Sequence, residues 1–305
     1  MASLRIIRRR LRSIQNTKQI MRAMQLVSGS KLKRAQVKLL QGRLVMEFLD
    51  GLLRRVLSVT PDLDHPLCAQ RDADESLLVL LTSDAGLCGS YNVNLLQLAE
   101  SHLRRDSAKT TRITYIGKKG YRYFTKRGYP AEEAFLDLAG RPDMAKAKVI
   151  GRALMERFLS GRVGSVKVLY SRFISSATYR PTLETWLPIQ LNSSSAQQFS
   201  SSSDRRQMNR RTDELMNSRA DEYIFEPSPR RVFEDLLPRW ALAKFQLILL
   251  EAFTSEHSAR MIAMKNATDN AEEITQTLTR ERNKLRQAAI TKEISEIVGT
   301  AEALK

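Results

Sequence analysis

The chain has 305 residues, 42% of them hydrophobic, two cysteines and a formal net charge of +17. That length and apolar content support one large or two modest domains with a real core, and the charge points to anionic partners. Cys68 and Cys88 form no CxxC and the three histidines are scattered, which argues against a disulfide scaffold and a metal centre. The longest apolar runs, Leu77–Leu81 and Leu247–Leu250, are too short to cross a bilayer, and the basic N-terminus lacks the apolar stretch of a secretion signal.

Residues 3–58 read as one helix. Leu4, Ile7, Leu11, Ile14 and Met21 form a heptad seam, which Lys18, Gln25 and Ser28 continue with polar side chains. Ser3 suits the N-cap, no proline precedes Pro61, and Pro61–Pro66 closes the segment as a loop. A periodic pattern beyond about 25 residues suggests a coiled coil, a membrane span or a repeat. At about 1.5 Å per residue this one reaches roughly 80 Å, the length of a shaft. Between Met1 and Arg43 there are twelve Lys/Arg and no Asp or Glu, so most of the excess charge sits on this helix end.

Residues 75–190 change texture. Leu77–Thr82 is an apolar run of strand length. A Gly-rich turn and an amphipathic helix from about Asn92 to Arg105 follow it. Arg112–Ile116 alternates as a second strand, Gly117 opens a helix to about Lys126, and a third helix spans about 144–160. Val166–Ser171 and Arg180–Trp186 read as further strands. Strands alternating with helices imply βαβ units and a mostly parallel, Rossmann-like sheet.

Asn192–Ser203 carries seven serines in twelve residues, and 191–222 reads as a flexible insertion, because such composition buries too little surface to offset its ordering entropy. The second long helix occupies 229–305, with Pro238 in its first turns as a candidate kink. From Trp240 to Leu285 it keeps mostly heptad steps, through Ala243, Leu247, Leu250, His257, Met261, Met264, Ala271 and Leu278. Each long seam needs an apolar partner, and the economical arrangement pairs them antiparallel. The expected fold is therefore α/β: a long coiled coil of residues 1–60 and 229–305 with an α/β domain, 75–190, inserted between its helices.

Three patterns bear on chemistry. Thr82–Asn94, TSDAGLCGSYNVN, lies between strand and helix, where nucleotide folds place a phosphate loop. Its Gly86 and Gly89 do not fit GxGxxG, no GxxxxGK[ST] occurs, and Gly117–Gly120 is equally weak; tight turns that need glycine explain all four. Cys88 at the mouth of a helix has the position of an activated thiol, but nothing in the sequence pairs His65, His102 or His257 with it as a base. The basic first helix suits a nucleic-acid arm, against which no aromatic residue precedes Phe48 to stack on bases.

The terminal segments carry a more specific signal. Ser13–Lys38, SIQNTKQIMRAMQLVSGSKLKRAQVK, closely resembles the N-terminal signature of the F-type ATP synthase gamma subunit. Arg260–Asn270, RMIAMKNATDN, and Arg286–Val298, RQAAITKEISEIV, resemble its C-terminal helix and signature. The resemblance implies a non-catalytic rotor shaft without cofactor, standing inside a hexamer of alpha and beta subunits, with the α/β domain at the epsilon subunit and the membrane c-ring. Turning it drives the catalytic beta subunits through their states in sequence. By residue match it implies that Met24, beside Arg22, faces an acidic beta-subunit loop, and that Arg260, Gln287, Thr291 and Glu293 form a polar cluster holding the shaft to the stator. The location it implies is peripheral, on the cytoplasmic face of a bacterial membrane. The chain departs from the family at Ala85, often Arg, at Ser28–Gly29, often Ala-Ala, at Arg282, where an aromatic is common, and at Leu285, often Ala. The alternative, from another class, is a basic coiled-coil nucleic-acid-binding protein.

Overall fold

The computed structural model describes residues 2–60, 63–71, 73, 75–105, 110–136, 138, 143–190 and 225–303. Helix α1 (Ala2–Val59) leads into β1 (Glu75–Leu81), α2 (Tyr91–Arg105), β2 (Thr110–Ile116), α3 (Lys118–Thr125), β3 (Ala131–Phe135), α4 (Met144–Leu159), β4 (Ser165–Phe173), β5 (Tyr179–Leu187) and α5 (Pro229–Ala303). The Ser-rich stretch expected at 191–222 lies outside the described residues.

The two long helices lie antiparallel: Lys18 Nζ donates to Glu272, Gly29 sits beside Met261, and Gly42 beside Leu247 and Leu250. The seam of α1 runs on from the expected Ile7 and Leu11 through buried Ser28, Leu32, Ala35, Leu39, Met46, Leu53 and Val56, steps that keep a heptad seam. Glycine at 42 allows the backbones to close, since a Cβ there would stand 3.3 Å from Leu247 Cδ1. Pro238 lies inside α5, which runs through it as one element.

The sheet has the order β3-β2-β1-β4-β5, with the first four parallel and β5 antiparallel to β4. Alternation along β1 divides the core. Leu77, Val79 and Leu81 face a cluster shared with α4 and α5, and Leu78 and Leu80 face one shared with α2 and α3. Both faces are covered, as expected of a parallel sheet whose central strand is an unbroken apolar run. Helix α4 starts where Asp143 Oδ1 accepts from the amides of Ala145 and Lys146, at 3.0 and 3.2 Å, an N-cap that satisfies first-turn donors.

The short edge strand β3 has the sequence AEEAF and does not announce itself. Two adjacent glutamates break the alternation, and each pairs with an arginine, Glu132 with Arg112 at 2.8 Å and Glu133 with Arg157 at 2.9 Å.

Candidate functional site

The turn after β1 is fastened by its own domain. Lys118 N donates to Asp84 Oδ1 at 3.0 Å, Lys119 N to the Ser83 carbonyl at 3.1 Å, and Gly120 N to Thr82 Oγ1 at 2.9 Å. These are the orphan amides that a bound phosphate would use at a helix N-terminus, and a carboxylate, a backbone carbonyl and a hydroxyl of the chain itself take them. Gly117, at φ +101°, passes so close to the first strand that a Cβ would fall 2.0 Å from the Thr82 carbonyl oxygen. Gly117 serves backbone approach, the tight turn that the sequence suggested.

Cys88 is buried. Asn92 Nδ2 lies 3.1 Å and Ser83 Oγ 3.8 Å from its sulfur. Burial raises its thiol pKa above the usual value, the opposite of what activates a nucleophile. Among the described residues no group of three or more His, Cys, Asp or Glu is placed to hold a metal ion, and no helix is long and apolar enough to cross a membrane.

Where the shaft meets the α/β domain, α5 is buried on every side. From Leu247 to Arg260 each residue is buried, over about 20 Å of helix. Leu247 and Leu250 pack toward α1, Ile248, Leu249, Ala252 and Phe253 join the core shared with the sheet and α4, and Tyr91 of α2 donates to the Ala252 carbonyl. The polar side chains of this collar find partners, Glu251 by hydrogen bond through Oε1 and not Oε2. Ser255 Oγ donates to the Ser171 carbonyl at 2.9 Å and Thr254 Oγ1 to that of Leu250 at 2.6 Å. Glu251 accepts from Arg43 at 2.8 Å, with Arg172 3.9 Å away. Arg260 donates to Glu256 at 2.7 Å and to the Ala85 and Gly86 carbonyls at 3.2 Å each. Buried charges require such pairing. Burial still raises the carboxyls of Glu251 and Glu256 above the usual range, against the pull of Arg43 and Arg260.

The basic surface has a simple layout. Of the twelve Lys/Arg before residue 44, ten are exposed. The two that are not, Lys18 and Arg43, reach across to Glu272 and Glu251 of α5. Arg22 is among the exposed ten, and Met24 is half-buried two residues on. At the other end Gln287, Thr291 and Glu293 are all exposed. Thr291 Oγ1 donates to the Gln287 carbonyl at 3.0 Å, so these two share a face, whereas Glu293 lies roughly 160° round the helix from Thr291. Arg260 does not join them. It is 7% exposed and, on one continuous helix, lies about 46 Å from Thr291. A single cluster of the four residues is not formed within this chain.

A two-helix shaft gripped by an α/β domain, with its chemistry spent on internal fastening, defines a mechanical subunit. The sequence profile of the family described as ATP synthase matches residues 3–304. An ATP synthase gamma chain of Symbiobacterium thermophilum is 39% identical over 98% of this chain and 97% of its own. That of Moorella thermoacetica is 37% identical over the whole of both. Among solved structures, a chain of the Euglena gracilis mitochondrial ATP synthase (OSCP/F1/c-ring) superimposes with a TM-score of 0.61 at 19% identity, over 99% of this chain and 95% of that one. A chain of the Tetrahymena thermophila mitochondrial ATP synthase central stalk and c-ring gives 0.56 at 22%, over 81% and 99%. The chain belongs to the ATP synthase gamma chain family. It is thus a non-catalytic subunit of a rotary ATP synthase, and nothing supports the nucleic-acid reading of its basic helix.

Proposed function

We propose that this chain is the central rotor of its ATP synthase, joining a membrane ring to the catalytic head. One observation carries the reading: α5 is gripped on every side at 247–260 and exposed on every side at 290–300 apart from its own backbone contacts, the form of an axle held at one end and free to engage partners at the other. The partners are the alpha and beta subunits around the shaft and the epsilon subunit and c-ring at the α/β domain. The complex sits peripherally on the cytoplasmic face of a bacterial inner membrane. No cofactor belongs to this chain.

Within that reading Arg22 and Met24 meet an acidic beta-subunit surface, and Gln287, Thr291 and Glu293 contact the surrounding head. Ten exposed cations on a stretch of helix whose own sequence has no acidic residue before Glu47 support the first contact. Complementary charge orients such an encounter without a deep pocket, which suits a shaft that must leave each angle as readily as it enters. Arg260 is assigned no stator contact, because its donors are taken inside the chain. The test is reconstitution with the alpha and beta subunits encoded beside it. A complex of three alpha, three beta and one copy of this chain, hydrolysing ATP only when the chain is present, is the expected result; no association, with DNA binding that survives physiological salt, overturns it.

A further inference from the structure

We propose that Arg260, backed by Glu256, is a latch that positions the α/β domain on the shaft and passes turning force between them; the proposal rests on the rotor reading above. In open α/β sheets the crevice at the carboxyl end of the strands, where the chain switches direction, is the place for a ligand. Here that crevice lies beyond β1, between β2 on one side and β4 on the other, and the turn 82–90 forms its lip. The structure fills it with a side chain of the shaft. The Arg260 guanidinium donates through Nε to the Gly86 carbonyl and through Nη2 to the Ala85 carbonyl, both at 3.2 Å. Glu256 Oε1, 2.7 Å from Nη2, orients it, and His257 Nδ1 lies 3.4 Å from Nη1.

The turn that receives it is rigid. Leu87 and Gly89 hold left-handed backbone at φ 63° and 57°, and its other side is fastened to α3 through Asp84, Ser83 and Thr82. Two carbonyls gripped by one planar fork resist rotation of the helix against the domain better than a single contact does, because the fork fixes direction as well as distance. The contact is also buried: Glu256 is 4% and Arg260 7% exposed, so the charge-assisted bonds act with little screening.

The geometry supplies its own substitute for the latch. A Cβ at Gly89 would stand 3.8 Å from Ala263 Cβ, within the roughly 3.5–4.5 Å that disulfides span. The experiment uses the complete ATP synthase, in a background of Cys68→Ser and Cys88→Ala. It compares the parent with Arg260→Gln plus Glu256→Gln, which removes the pair together and leaves no buried charge alone. ATP hydrolysis by the catalytic head should stay within about twofold, while ATP-driven ion pumping falls about tenfold or more, the scale of a charge-assisted hydrogen bond. Adding Gly89→Cys and Ala263→Cys should restore pumping under oxidation and lose it again under dithiothreitol, which a role at the stator would not produce. Arg260→Lys, which keeps a cation opposite Glu256 but not the fork, should lower pumping in the same direction and covers the case of a double variant that fails to assemble. Unchanged pumping in both variants overturns the latch. A parent chain that never assembles with alpha and beta overturns the rotor reading instead.

Discussion

Residues 247–260 and residues 286–300 belong to one helix, and their surroundings differ completely. The first stretch is buried throughout and contains Glu251, Glu256, His257 and Arg260; the second is almost wholly exposed and contains Ile290, Ile294, Ile297 and Val298. Burial therefore does not follow side-chain polarity here. It follows what the helix is held by: the collar lies between α1, the sheet and the turn after β1, whereas among the described residues the tip has no neighbour of its own chain to cover it. A polar residue inside a fixed joint gains directional bonds, and an apolar residue on a free end becomes a contact surface for another molecule.

The contrast can be broken first in the collar. Leu249→Ala removes a side chain 1% exposed in the main core and should cost about 2–5 kcal/mol, read as a lowered thermal midpoint of the purified chain. Arg43→Ala strips the nearer cation from buried Glu251 and should cost about 1.5–3 kcal/mol by the same measurement. Lys18→Ala breaks a pair with Glu272 that is partly exposed on both sides, so a loss of no more than about 1 kcal/mol is expected. At the tip Ile297→Ala should change stability by no more than about 0.5 kcal/mol. A large effect there would mean that the tip packs on its own chain and would dissolve the comparison.

Acidity sharpens the same contrast. The Glu256 carboxyl is held above its ordinary pKa of 4.5 by burial, against the opposing pull of Arg260. Over the interval between that value and its raised pKa, the native state binds a proton that the unfolded chain has released. The stability this group supplies is therefore greatest at low pH, falls as pH rises through the interval, and is level above it. The thermal midpoint of the parent minus that of Glu256→Gln should fall with pH rising from about 4.5 and then stay flat. A difference independent of pH would show that Glu256 is not buried as described.

The sequence makes the long seam legible because heptad spacing survives even where Lys18, Gln25 and Ser28 interrupt its apolarity; period and not composition is the signal. The order of strand and helix from β1 to β4 is legible for the same reason, except at β3, whose AEEAF breaks the alternation. The connection Ile174–Thr178, whose turn is closed by Ser175 and Thr178, is too short for the crossover that a parallel neighbour needs, so β5 runs antiparallel to β4. The collar stays hidden because Glu251, Thr254, Ser255, Glu256 and Ser258 look like a solvated face when only polarity is read. One sign was present, a Glu256–Arg260 pair at i,i+4 flanked by apolar runs, but such pairs are common on exposed helices. Resemblance to relatives assigned Arg260 outward, and the geometry turns it inward.

The antiparallel shaft also has a consequence for how the chain is made. Lys18 and Glu272, which meet across it, are 254 residues apart in sequence. Helix α1 leaves the ribosome first, yet its seam finds its partner only when α5 follows, after every strand of the sheet. Contacts so distant in sequence form slowly, and an apolar seam waiting for its partner invites association with other nascent chains. The coat of cations along α1, undiluted by any acid before Glu47, supplies mutual repulsion during that interval. The charge that serves the finished shaft at its partners thus also keeps the unfinished one apart from its copies.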